Sequence, residues 1–132
     1  MQPFAQDFLN LFVTLHGDIA HALDGLPPEA LDWTPGSEMN SIGVLVVHIC
    51  GSQRFLLGEL IAREPANRDR AAEFETRGLD AATLTARLEQ ASEYAQHVLD
   101  GLTLADLETT RPWRDGSQRS VAWCLGHSLE HT

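Results

Sequence analysis

Phe4, Phe8, Phe12, Leu15, Ile19 and Leu23 recur every three or four positions near the start of the chain. On a helix they form one apolar stripe with polar residues around the rest of the surface. The spacing predicts a first helix from Pro3 to near Leu26. Pro3 suits the first turn, and Gly25 with Pro27-Pro28 stops the helix. A loop with the turn pair Pro35-Gly36 follows, and Trp33 within it is expected to plug one end of the core. A second helix is expected from Asn40 or Ser41, either of which can cap it, to near Ala62. It carries Ile42, Leu45, Ile49, Leu56 and Leu60. Its first half is apolar on both sides and should be deeply buried, with His48 in its middle.

The charged stretch Arg63–Arg70 reads as a solvated connection, anchored to the core by Phe74 and long enough to cross from one end of a bundle to the other. Asp80 announces a third helix with the stripe Leu84, Leu88, Ala91, Ala95, Val98 and Leu102, closed by Gly101 and Thr103. Asp115-Gly116 predicts a turn in a short hairpin between Thr109 and Ser117. Ser120 then caps a fourth helix that is still running at Thr132. A helix of about a dozen residues is marginal beside partners of about twenty, so the natural chain is expected to continue past Thr132. The pattern predicts an all-α fold: a four-helix bundle in one domain, residues 1–132, with a long crossover connection between helices 2 and 3. A three-helix bundle whose helical tail pairs with a second copy is the competing arrangement.

Composition narrows the function. The 132 residues suit one domain, and 43% hydrophobic content can build a core. Nineteen acidic residues against nine basic ones give a formal net charge of −10. Such a surface repels phosphate backbones and anionic lipid, which argues against nucleic acid and membrane partners, and it attracts cations. Cys50 and Cys124 lie in apolar helical stretches outside any CxxC pair, as buried thiols of a reducing compartment do. The N-terminus lacks a basic, cleavable leader, and the apolar run Val44–Cys50 is too short to span a bilayer. The expected location is the cytoplasm.

Chemistry concentrates in six histidines: His16, His21, His48, His97, His127 and His131. His127 and His131 stand four residues apart, so both imidazoles project from one face of a helix, the spacing with which a helix offers two ligands to one metal. His48 lies within an apolar run, where an unpaired imidazole is costly to bury. It is either a core histidine bonded to a carbonyl or side chain, or a ligand that meets the His127/His131 pair inside the bundle. His21 and His97 fall off their stripes and read as solvated. His16 lies at the edge of the first stripe with no assigned role. Cys50 points away from His48, Cys124, one turn before His127, either approaches the site or, as such a Cys more often is, is simply packed, and Glu130 faces away from His131.

Two segments carry a family resemblance. Leu31-Asp32-Trp33-Thr34-Pro35 followed by Ser41-Ile42-Gly43-Val44-Leu45-Val46-Val47-His48-Ile49 is similar to the W-x-P and S-I-x-x-L-x-x-H signature of the DinB-like metal-dependent helical bundles. Ser120 to His131 resembles their last helix, in which histidines recur every four residues. The resemblance covers essentially the whole chain. It implies His48 and His131 as metal ligands, with a third either one turn beyond His131 or replaced by His127. It also implies a divalent nickel, zinc or iron ion, a homodimer, a small-molecule substrate and, in some members, a low-molecular-weight thiol. The expected function is therefore a metal-dependent enzyme, a thiol-dependent S-transferase or a hydrolase. The alternative is a non-catalytic, stress-related or metal-sequestering dimer.

Overall fold

Proline opens α1 (Pro3–Leu23) and α2 (Pro28–Asp32), where a missing N–H costs nothing, and side-chain oxygens open the later long helices. The computed structural model describes all 132 residues. Ser41 Oγ accepts from the Val44 N–H at 3.1 Å and starts α3 (Ile42–Gln53), which runs on without a break as a π-helical stretch, Arg54–Ala62. Arg63, in the left-handed region at φ 59°, ends it. A short α4 (Arg70–Glu73) interrupts the connection to α5 (Ala81–Asp100), whose cap is Asp80, accepting from the Thr83 N–H at 2.8 Å. After α6 (Leu104–Leu107) the chain forms the hairpin β1 (Thr110–Pro112) and β2 (Gln118–Ser120), paired antiparallel with Arg111 opposite Arg119. Ser120 then caps α7 (Val121–Glu130), accepting from the Trp123 N–H at 3.0 Å.

The chain is thus mostly helical, with the hairpin where the Asp115-Gly116 turn predicts it. Helix α5 packs against α1 and α3, and the π-helical stretch packs against α7. Two apolar clusters fill the interior. The larger joins residues such as Phe12, Leu57, Leu99 and Leu125 from all four long segments. The smaller joins Leu23, Leu31, Val46, Val47, Leu84 and Leu88. A fully buried Leu or Phe of this kind contributes about 1.5–3 kcal/mol.

Four expectations fail, each for a local reason. Residues 28–32 form a helix, not a loop; it turns Leu31 into the core and leaves Trp33 66% exposed, so Trp33 plugs nothing. The first half of α3 is buried on one side only: Val46 and Val47 face inward, while Ile42 and Leu45, one turn apart, stay exposed. Phe74 is 37% exposed and does not anchor the crossover; the buried residue there is Glu73, at 7%. Finally, the charged connection is not simply solvated, because Arg68 is drawn in to meet Glu73. Taken as one helix, Ile42–Ala62 is long and apolar enough to cross a membrane, but 56% of its most apolar window is buried inside the fold, as a core helix is.

Candidate metal centre

Glu73 is a carboxylate buried against the middle of α3, and both of its oxygens have partners there. Arg68 grips it in a bidentate fork, donating from Nε to Oε2 and from Nη2 to Oε1, each at 2.8 Å. His48 Nδ1 lies 3.0 Å from Oε1. Arg68 Nη2 also comes within 3.4 Å of Nδ1, but one ring nitrogen cannot donate to the carboxylate and accept from the guanidinium at once. The shorter contact, to a charged acceptor, decides: Nδ1 donates, and in the neutral ring this leaves the Nε2 lone pair free. Gly51, one turn beyond His48, makes the approach feasible, since a side chain there would overlap the Glu73 carboxylate.

The His48 ring centre lies 5.9 Å from that of His131, and His131 lies 5.0 Å from His127. Helices α3 and α7 therefore bring the three sequence-predicted histidines into one neighbourhood. His127 stacks on Trp123 at 4.5 Å with rings nearly parallel, and meets the edge of Trp113 at 5.6 Å. Trp113 reaches it from the hairpin, so the hairpin holds the last helix's histidine in place. Phe74 covers His48 at 5.1 Å. His131 does not lie inside the bundle as expected: it is exposed at the end of α7, where partial desolvation still lowers its pKa from its ordinary value and the neighbouring His127 and His48 lower it further. A neutral imidazole is the form that ligates a metal.

No three His, Cys, Asp or Glu side chains are arranged as a ready-made metal-holding group. With metal–nitrogen bonds of about 2.0–2.1 Å, two imidazoles on one ion have centres about 5–6 Å apart, a spacing comparable to the 5.9 and 5.0 Å seen here. His48 meets a second requirement, since metal-bound histidines usually donate their other N–H to a carboxylate or carbonyl. Imidazole nitrogens, one of the rings backed by Glu73, are donors of the kind that suit a divalent transition metal.

The remaining candidates lie elsewhere. His16 is buried, with Nδ1 2.6 Å from Ser92 Oγ and Nε2 without a partner. His21 and His97 are exposed, and His97 pairs with Glu64 at 2.9 Å. Cys124 is packed in the larger core cluster, and Cys50 packs against the smaller one and lines a cavity beside α3. Burial pushes the Cys50 thiol up to about 11 and raises that of Cys124, so neither is a thiolate at neutral pH. Glu130 is exposed at the surface. Sequence reasoning missed Glu73 and Arg68. The one hint was Gly51, a vacancy on the His48 face, but nothing in the sequence names the group that fills it.

Among known proteins, the family model of the DinB superfamily matches residues 11–132. No curated protein matches the chain.

Proposed function

Because this chain belongs to the DinB superfamily, we propose that it is a metal-dependent enzyme acting on a small molecule, with His48 and His131 as ligands of one nickel, zinc or iron ion and His127 as the nearest further imidazole. The observation that carries this reading is the His48 ring: its Nδ1 is committed to Glu73, and the ring stands 5.9 Å from His131. When bound, such an ion lowers the pKa of a water or thiol and so supplies a nucleophile near neutral pH. The chain's own residues do the positioning. Glu73 holds the His48 tautomer and ring plane, and the Arg68 fork holds the Glu73 carboxylate in place. Trp123 and Trp113 restrain His127 and shield one side from water. A low-molecular-weight thiol is the co-substrate in the S-transferase form of this reading; water takes its place in the hydrolase form.

The same reading takes the four longest helices as a four-helix bundle with residues 63–80 as its crossover. It takes the protein as cytoplasmic, in keeping with its two free thiols. It also takes the exposed Ile42 and Leu45 as part of the face a homodimer would use. The test is His48→Ala. Elemental analysis of the purified variant should show metal stoichiometry lost, while helical circular dichroism is retained. A variant that keeps its metal removes His48 from the ligand set and the proposal with it.

A further inference from the structure

A cavity of about 450 Å³ opens between α3 with its π-helical continuation, α5 and the crossover. All nine basic residues of this chain are arginines, and three of them, Arg54, Arg68 and Arg87, line this one cavity. Arg68 is neutralised by Glu73. The other two have no carboxylate partner within ion-pair distance, although the protein carries nineteen acidic residues.

Arg54 is held in place from below. Gly58 lets Tyr94 of α5 lie directly against the π-helical stretch, and the Arg54 guanidinium stacks over the Tyr94 ring at 3.6 Å. Its only hydrogen bond is a long one from Nη2 to the Pro65 carbonyl at 3.4 Å, and its Nη1 is buried with no partner. A buried donor left unpaired is costly, so this guanidinium is short of an acceptor. The nearby acids are already committed. Glu64 accepts from the Tyr94 hydroxyl at 3.0 Å and pairs with His97. Asp69 caps the Ala72 N–H at 3.1 Å. Val47, Leu57 and Ala91 supply an apolar wall to the same cavity.

We propose that this cavity binds a small organic carboxylate, with Arg54 and Arg87 on the carboxylate and the apolar wall against the carbon body. The planar guanidinium fork matches a carboxylate, and the apolar wall favours an organic acid over a hydrated inorganic phosphate. None of His48, His127 and His131 lines the cavity, although Glu73 and Arg68, which stand behind His48, form part of its wall.

Titration calorimetry with benzoate and with hexanoate tests it, using benzamide as the uncharged isostere. At least one acid should saturate at one per chain, and benzamide should bind at least about tenfold more weakly. The exposed Arg87→Met variant should weaken the acid by about tenfold or more, whereas His131→Ala should leave it unchanged. The proposal is overturned if neither acid binds at tens of millimolar or if benzamide binds as well as benzoate. It is overturned equally if Arg87→Met binds like the wild type, or if His131→Ala alone abolishes binding, which would put the anion at the imidazoles.

Discussion

His16 on α1 and His48 on α3 both sit where an apolar helix face meets the interior, and their surroundings could hardly differ more. His16 is 3% exposed and has one neutral partner, Ser92. Its second nitrogen faces the buried Gln53, without a hydrogen bond of good geometry even though Gln53 pulls its pKa upward. Burial outweighs that pull, so the ring is held neutral. His48 is less buried and is backed by a carboxylate and a guanidinium. The first is a closed polar contact inside the core. The second is a ring oriented by its carboxylate, beside the imidazole of His131, which in turn neighbours His127. The residue type is the same, so the difference lies in what the neighbouring elements deliver: a serine from α5 in one case, an ion pair from the crossover in the other.

The largest effect should come from removing the acid of the His48 region. Glu73→Ala leaves the partly buried Arg68 and His48 without their anion and should cost about 2–4 kcal/mol in urea unfolding. It should also weaken metal affinity by about 10–100-fold, because His48 loses its orienting partner. A variant with unchanged stability and metal content would erase the contrast with His16.

A smaller effect is expected at the other histidine. Ser92→Ala removes the only hydrogen bond His16 makes and leaves a second buried ring nitrogen unpaired. The expected cost is about 1–3 kcal/mol, with metal content untouched. Loss of metal in this variant would mean that the two regions are coupled.

The smallest effect is a slope with pH. Since burial holds the folded His16 pKa below its ordinary 6.5, the unfolded chain takes up its proton first as pH falls. The stability present above that value is therefore lost progressively below it, down through the folded pKa, by at most about 1.4 kcal/mol per pH unit. Unfolding measured near neutrality and about one unit below 6.5 should show a greater loss for the wild type than for His16→Leu. His131 is shifted in the same direction, but it is present in both proteins and cancels. Equal losses would show that His16 is not the neutral, buried group described.

The sequence alone determined the four long helical segments and pointed to the three clustered histidines. Caps at Ser41, Asp80 and Ser120 and stripes such as Leu84, Leu88, Ala95 and Val98 are local signals, set by hydrogen bonds three residues away and by the 3.6-residue period. The four-residue spacing of His127 and His131 is local in the same sense. Only the tertiary structure decided that Glu73 and Arg68 stand behind His48, that Trp113 from the hairpin braces His127, and that Trp33, Ile42 and Leu45 face outward. Those outcomes depend on which face of one element meets which face of another, and on how a charged connection folds back over a gap left by Gly51. Helical periodicity says which residues share a side, but not what chain segment, distant in sequence, will be pressed against it.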